Sequence, residues 1–414
     1  MSHLLLLDVP GGNDFAVLED AVAQGHEVTF LTADLESYRR QGKITQQALA
    51  LAREWLEVPD LTFAAVTAIT DRIHRTHPFQ AILCLVDIRL TIASMLAQRY
   101  GLRFIQPDTA QLLRDKYRVR QTLAAAGIRQ PRFALVEHAD ELPTALATVG
   151  YPALVKPTDG YASQNVSLLQ NEDDAAAFLA SALSSPQDYD YGFGVRANRR
   201  WSVEQYMAGT VIGCDVFCRD GEQVLLGIND KRMYPPPSFA IRGSCFPSSR
   251  HDSKLIFDYA CEILDAVGFD QGAAHIEMIM SHGIPWLVEI NPRLVSAHIP
   301  FQMGYAFERS IYAELIDLHL GEPIDALRQR QAPWFCAIRW LVADTAGQIT
   351  TLALAQETDP NVRRIVLFKQ VGDQVRPPLN NGDRIAYVMA VGKSQEEAER
   401  IAEAFWADCT LKID

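Results

Sequence analysis

The chain has 414 residues, 48% of them hydrophobic, and a formal net charge of −13, which is enough apolar material for two or three domain cores. Its acidic balance excludes a nucleic-acid or anionic-membrane partner, because either needs a clustered basic surface, and no apolar run is long enough to span a bilayer. Seven cysteines (84, 214, 218, 245, 261, 336, 409) lie scattered without CxxC spacing, which fits reduced thiols, a cytoplasmic location and no zinc site.

The start MSHLLLLDVPGG reads as a first strand entering a turn rather than a charged signal-peptide head with a cleavage site. Apolar runs at 3–8, 27–32 and 80–86 alternate with helical patterns and predict a Rossmann-like parallel βαβ domain over residues 1–110. Gly11 and Gly12 precede a helix closed by Gly25, but the full GxGxxG spacing is absent and no dinucleotide site is expected. A helix over 91–100 ends at Gly101, a strand follows at 103–105, and Pro107 opens the next element.

Residues 109–126 have helical periodicity and stop at Gly127, predicting one helix that bridges two domains. From 131 the strands and helices of PRFALVEH, YPALVKP and NEDDAAAFL lay out a small α+β subdomain of about 130–206, inside a central region of 111–325. The segment YPPPSFAIRGSCFP, residues 234–247, is rich in proline and is predicted to be an exposed loop rather than a central strand. Such loops often close over a site. WFCAIRWLVA, RRIVLFK, RIAYVMAVG and the last helix SQEEAERIAEAF predict a separate small α+β domain over 326–414.

The chemistry concentrates in HIEMIMSHGIPWLVEINPRL, residues 275–294, read as a β-hairpin turning at 281–283. Side chains alternate across a strand, so His275, Glu277 and Ile279 share one face, as do Glu289, Asn291 and Arg293. Carboxylates and an amide oxygen are hard ligands suited to Mg²⁺ or Mn²⁺, and a neighbouring guanidinium suits phosphate oxygens. The competing reading, a solvated acidic face, leaves polar residues without use inside the apolar strand WLVEIN, which is costly. Lys156, in the strand ALVKP, either meets an anion or snorkels at a strand end. Lys116, in RDK, either meets an anion or belongs to a charged helix face with Arg114, Asp115 and Arg118. TDGYASQNVSLL, residues 158–169, is either a flap whose amides cover a phosphate or an ordinary hairpin turn.

In the order RDKYRVRQTLAAAGIRQP, VKPTDGYASQNV, and HIEMIM with VEINPR, nearly the whole chain resembles the ATP-grasp superfamily. Within it the likeness is to carboxylate-amine ligases that join amino acids, such as the dipeptide-forming L-amino-acid ligases. The resemblance implies an ATP-grasp fold of α/β and α+β class, with an N-terminal Rossmann-like domain, a central two-subdomain ATP-binding region and a small C-terminal α+β domain. It implies that Lys116, Lys156, Ser163 and Lys231 contact the nucleotide, and that Glu204, Gln205, Tyr206 and Met207 form a hinge binding adenine through backbone groups. By the same resemblance Glu277, Glu289 and Asn291 hold two Mg²⁺ ions, with Mn²⁺ as a substitute, and Arg293 together with Lys156 serves the transferred phosphoryl group. The implied reaction uses ATP to phosphorylate a carboxylate, which an amine then attacks, releasing ADP and phosphate.

Departures from the family pattern bear on the substrate. Asn165 stands where Gly commonly precedes the Val, Val211 stands where a ribose-binding acid often follows the hinge, and Leu294, Val295 and Ser296 intervene before His298 in place of a Gly pair. Ile241 and Arg242 stand where dipeptide-forming relatives often carry a Glu. Arg242 and His298 are therefore expected to meet the substrate, with Arg242 either binding a second anionic group or lying exposed on the loop. Arg339 and Arg384 sit in strand patterns, either reaching a substrate carboxylate or serving in structural ion pairs. The expected partners are small molecules, an amino acid or related carboxylate plus an amine, with the oligomeric state left open, a homodimer included. Two other readings remain: a carboxylase-like or purine-precursor ligase of the same superfamily, and a degenerate nucleotide-binding protein. Intact Glu277, Glu289, Asn291 and Arg293 argue against the second.

Overall fold

A computed structural model describes residues 1–9, 12–160, 165–183, 188–190, 195–197, 200–235, 238, 240–295, 298–328, 330–355 and 359–414. Three sheets position the site. The first is parallel, with Glu54–Glu57, Glu27–Thr32, His3–Leu7 and Ala81–Cys84 in that order. Its central run Leu4 to Leu7 is fully buried, Leu4 and Leu6 packing with Val17 and Leu18 on one side, Leu5 and Leu7 with Val66 and Leu90 on the other. Burial on both faces is what a parallel sheet between helix layers requires. The strand predicted at 103–105 does not form: Phe104 and Ile105 are buried, yet they belong to a short unpaired connector between Gly101 and the helix Pro107–Leu113.

The single helix predicted over 109–126 is two, Pro107–Leu113 and Lys116–Ala125. Asp115 makes the break, because its carboxylate accepts the N–H groups of Tyr117 and Arg118 and so caps the second helix. Its other oxygen meets Arg200 at 2.7 Å. Lys116 therefore opens a helix, with its side chain at the edge of a cleft instead of on a continuous charged face.

The second sheet is antiparallel, with Phe133–Val136, Trp201–Gln205, Ala153–Pro157 and Ser167–Leu169 in order. Val136, Val155, Trp201 and Val203 join Leu142, Leu146 and Phe178 of its helices in one apolar core. Alternation sends Lys156, Ser202 and Glu204 to the opposite face.

The third sheet has eight strands, ordered Ile284–Asn291, Gly272–Ser281, Thr210–Arg219, Glu222–Met233, Ile241–Phe246, Phe335–Leu341, Ala386–Gly392 and Val362–Leu367. Residues 241–246 thus form an interior strand, paired with residues of Glu222–Met233 and of Phe335–Leu341, where a loop was predicted. The proline run stops short of Ile241, and a hydrogen bond from Tyr234 N–H to the Ala240 carbonyl, at 3.0 Å, closes the loop before the strand begins. Gly243 is required within it, since a Cβ there would lie 2.8 Å from Nη1 of Arg339. Through this strand the C-terminal strands continue the central sheet, and the helix Gln395–Ala407 packs Ala398, Ile401, Ala402 and Phe405 against them. No helix among the described residues is long and apolar enough to cross a membrane.

The cap at Asp115 is directly testable. Asp115→Ala should lower the stability by about 1–2 kcal/mol, read from urea or thermal unfolding, while Asp115→Asn, an equally good cap, should retain most of it. Equal losses in the two variants would show that capping is not what Asp115 supplies.

Candidate active site

The hairpin forms as predicted, with Gly272–Ser281 pairing Ile284–Asn291 around a two-residue turn. His282 and Gly283 take φ of 49° and 77°, the left-handed pair that a type I′ hairpin turn demands. Glu277 lies opposite Glu289 and His275 opposite Asn291, which puts two carboxylates and an amide on neighbouring positions of one surface.

Each of these groups is held by a cation or a dipole. Glu277 accepts from Lys231 at 2.5 Å, Lys231 lies 3.2 Å from Nε2 of His275, and Nδ1 of His275 lies 2.7 Å from Asp215. This chain crosses the intervening strand only because Gly213 has no side chain: a Cβ there would come within 2.4 Å of the imidazole. Burial raises the Glu277 carboxyl, but Lys231 and then His275 outweigh it and hold the group well below the usual carboxylate range. Burial lowers the His275 pKa, and Asp215 reverses that into a net rise. Glu289 lies 3.4 Å from Nζ of Lys116, which also donates to the Gly160 carbonyl.

The second set of charges is buried more deeply. Nζ of Lys156 is 2.9 Å from Glu204, and Arg120 meets the same carboxylate at 2.8 Å. Burial would raise the Glu204 carboxyl, yet Arg120 and then Lys156 hold it at about 2. Burial lowers the Lys156 pKa, an effect Glu204 opposes. Both cations also reach the strand Ile284–Asn291: Lys156 donates to the Val288 carbonyl at 3.2 Å, and Arg120 to the Leu287 and Val288 carbonyls at 2.8 and 3.1 Å. At the end of the hairpin, Arg293 pairs with Asp87 at 2.6 Å, a residue just beyond the carboxyl end of a parallel strand, where ligand sites of such sheets gather.

Between the second and third sheets lies a cleft of about 290 Å³. Lys116, Lys156, Glu277 and Glu289 supply its charges, and Leu154, Tyr206, Met207, Val211, Met233 and Ile279 line much of the rest. A mainly apolar cleft with a few charges suits a flat heteroaromatic group carrying phosphates. Asn165 adopts φ 58° beside it, so the Asn at the glycine-like position takes the left-handed conformation, as Asn readily does.

Some expected residues stand elsewhere. Of the hinge, Tyr206 and Met207 line the cleft, whereas the Glu204 side chain is the counter-ion of Lys156 and Arg120. The N–H groups of Gln205 and Tyr206 are used by the Arg132 and Pro152 carbonyls, at 2.8 and 3.1 Å. The N–H of Met207 makes no such bond among the described residues. Arg339 does not reach the cleft: it turns toward the C-terminal helix and pairs with Glu403 at 3.0 Å and Glu399 at 3.4 Å. Arg242 is exposed on its strand, and His298 packs 4.2 Å from Tyr387 and 5.6 Å from Phe368, ring centre to ring centre. Ser163 lies outside the described residues. Sequence reading missed Arg120, Asp87 and Asp215. A signal for Arg120 existed, since it lies on the face of its helix that Val119 and Leu123 bury.

Among the described residues no three His, Cys, Asp or Glu side chains cluster as a metal site. Glu277, Glu289 and Asn291 are too few to enclose a divalent ion alone. Mg²⁺, however, takes one or two carboxylates and completes its shell with water and substrate phosphates, and Lys116 and Lys156 stand beside the carboxylates. The donor set fits Mg²⁺ bound together with a nucleotide. Asn291 Nδ2 lies 3.4 Å from Glu289, and turning the amide over would present its oxygen at the same place.

A family model of the ATP-grasp domain matches residues 149–299, and one described as L-amino acid ligase C-terminal domain 2 matches residues 339–414. The chain overlays the whole of an L-amino acid ligase from Bacillus licheniformis with a TM-score of 0.80 at 16% identity, covering 100% of this chain and 99% of that one. It overlays a phosphoribosylglycinamide synthetase from Anaerococcus prevotii at 0.73, with 14% identity and 100% of both chains covered. It is 28% identical over 315 residues to the uncharacterized protein y4rH of Sinorhizobium fredii (74% of this chain, 63% of the relative). It is 25% identical over 325 residues to carnosine synthase 1 of Gallus gallus (75% of this chain, 32% of the relative). The chain thus spans less than two thirds of the length of these curated relatives. The central part of the chain matches the ATP-grasp domain, and the whole chain shares the fold of the L-amino acid ligase it overlays. The C-terminal part is similar to an L-amino acid ligase domain, and one solved structure that the chain resembles, a biotin carboxylase domain from Hydrogenobacter thermophilus, holds MgADP.

The Glu204 carboxyl has a pKa of about 2, against 4.5 ordinarily. Because the folded value is depressed, its stabilisation is complete above about pH 4.5 and is lost as the pH falls toward 2. Glu204→Gln should cost about 3–5 kcal/mol at neutral pH by leaving Arg120 and Lys156 uncompensated, and should flatten the acid limb of stability against pH. Unchanged unfolding curves at pH 7 and pH 4 would remove Glu204 from this role.

Proposed function

We propose that this enzyme forms an amide bond between the carboxylate of an amino acid or a related small acid and the amine of an amino acid, through an acyl phosphate. The observation that carries the reading is the convergence on one cleft of Glu277, Glu289, Lys116 and Lys156, with Asn291 on the same hairpin and Arg293 fixed at its end. The match of residues 339–414 to an L-amino acid ligase domain and the likeness to carnosine synthase support amino-acid substrates.

A carboxylate is a poor electrophile, and its approach to a γ-phosphate is opposed by charge. The apolar wall of Leu154, Tyr206, Met207, Val211 and Ile279 takes the adenine, with Met207 N–H as a hinge donor. Lys116 and Lys156 take phosphate oxygens. Glu277, Glu289 and Asn291 would hold Mg²⁺, two ions with Mn²⁺ as a substitute, which when bound neutralises phosphate charge. The donor carboxylate oxygen attacks the γ-phosphorus, the bond to the β-phosphate oxygen breaks, and ADP leaves. Arg293 faces the charge that builds on the transferred group, and its guanidinium orientation is fixed by Asp87. The acceptor amine then attacks the acyl carbon, the carbon–oxygen bond to phosphate breaks, phosphate departs with the electron pair, and the amine gives up a proton. Positioning and charge neutralisation supply the rate, and no cysteine acts as nucleophile.

A matrix of amino-acid pairs scored by ATP-dependent phosphate release tests this. At least one pair should release ADP and phosphate with an amide product, and Glu289→Gln should lower that rate at least about 100-fold. Turnover with bicarbonate or a purine precursor and with no amino-acid pair would overturn the substrate class. Full activity in Glu289→Gln would overturn the metal assignment.

A further inference from the structure

Three arginines are buried among the described residues: Arg120, Arg339 and Arg384. Arg120 has Glu204, and Arg339 has Glu399 and Glu403. Arg384, 9% exposed, has no carboxylate partner among the described residues. Its Nη2 donates to Asn381 Oδ1 at 2.6 Å and to the Ile241 carbonyl at 3.3 Å, both neutral, and its Nε is buried with no acceptor among the described residues. The guanidinium lies 4.0 Å from the ring centre of Trp340, whose Nε1 is likewise buried with no acceptor among the described residues. Two adjacent, desolvated N–H donors with one uncompensated positive charge are expensive to maintain, and an anion is the ligand that relieves both.

The position is informative. Burial, then Arg384 and Arg364, keep the His298 imidazole neutral, at about 3, and His298 is 6.4 Å from Trp340, ring centre to ring centre. His298 lies just beyond Arg293 in sequence, on the connection out of the hairpin. Tyr234, which lines the nucleotide cleft, has its hydroxyl within electrostatic reach of Arg242 and Arg384. Through Tyr234, Arg384 and Trp340 thus stand beside the cleft but outside the groups assigned to phosphate or metal. Burial pushes the Arg384 pKa down to about 9, a fall the Tyr234 hydroxyl opposes, so the group stays charged at neutral pH.

We propose that Arg384, with Trp340 Nε1, binds the carboxylate of the acceptor amino acid, the carboxylate that is not activated. This rests on the ligase reading above. An amino acid offers two reactive ends, and a dedicated cation for its carboxylate keeps that group away from the γ-phosphate while leaving the amine to attack. The subsite would therefore decide which partner is donor and which is acceptor.

The test compares wild type, Arg384→Gln and Arg384→Met with the best pair found in the matrix, the acceptor being supplied as the free acid and as its α-carboxamide. Wild type should prefer the acid; the variants should raise KM for the acid about 10- to 100-fold, lose the preference over the amide, and leave KM for ATP and for the donor unchanged. An equal loss with acid and amide, or a shift in KM for ATP, would overturn the subsite. Because Arg384→Met removes an unpaired buried charge, it should melt no lower than wild type, which separates a binding role from a structural one; a clear drop would favour the structural role. If no amino-acid pair turns over, calorimetric titration of wild type and Arg384→Gln with acetate, L-alanine and L-alaninamide still decides the matter. Saturable binding of the two carboxylates to wild type alone supports the subsite although the ligase reading has failed, and equal binding or none refutes it.

Discussion

Glu204 sits between two buried cations, 2.8 Å from Arg120 and 2.9 Å from Lys156, and both cations continue to carbonyls of the strand that carries Glu289. Three parts of the chain meet there: the helix that Asp115 starts, the small antiparallel sheet and the hairpin of residues 272–291. One carboxylate against two cations leaves a net positive charge in a poorly solvated place. That residual charge is fixed in direction before any ligand arrives, so a phosphate entering the cleft meets a preorganised cation. Lysine is the adaptable member of the trio, since its single ammonium can exchange a backbone carbonyl for a phosphate oxygen, while the Arg120 fork stays bound to the scaffold.

The hairpin follows the same logic with the signs reversed. Glu277 and Glu289 face each other across two strands, an arrangement that repels unless cations stand close. Lys231 and Lys116 supply them, and the Asp215–His275 pair steadies Lys231 from behind. Gly213 makes this possible by giving up its side chain to the imidazole. Arg293 is tied to the first domain through Asp87, so the region just beyond the parallel sheet is held against the end of the hairpin.

The legible portion of the fold was the portion written in periodicity. Leu4 to Leu7, the hairpin turn at His282-Gly283 and the alternation around Glu277 and Glu289 all appear directly in the order of residues. The break at Asp115 was missed because a capping aspartate inside RDKYRVR looks like one more charge on a helix face until its carboxylate is seen to accept two backbone N–H groups. Residues 241–246 were misread because three prolines dominate the local pattern, although the strand they precede pairs on both sides. Arg339 and Arg384 look alike in sequence; only the tertiary partners, two glutamates for one and none described for the other, separate a structural ion pair from a candidate binding group. Pairwise electrostatics across sheets has no local signature, which is why the ion pairing of the Glu204 side chain with Arg120 and Lys156 went unnoticed.

The central claim is that the cleft activates a carboxylate by moving a phosphoryl group onto it. The direct measurement is oxygen transfer: the donor acid, labelled with ¹⁸O in both carboxylate oxygens, is turned over with unlabelled ATP and the acceptor amine, and the released phosphate is weighed by mass spectrometry. One ¹⁸O in each phosphate formed is the expected result, because the oxygen that attacked phosphorus leaves with it. Phosphate free of label, or release of AMP in place of ADP, would contradict the account.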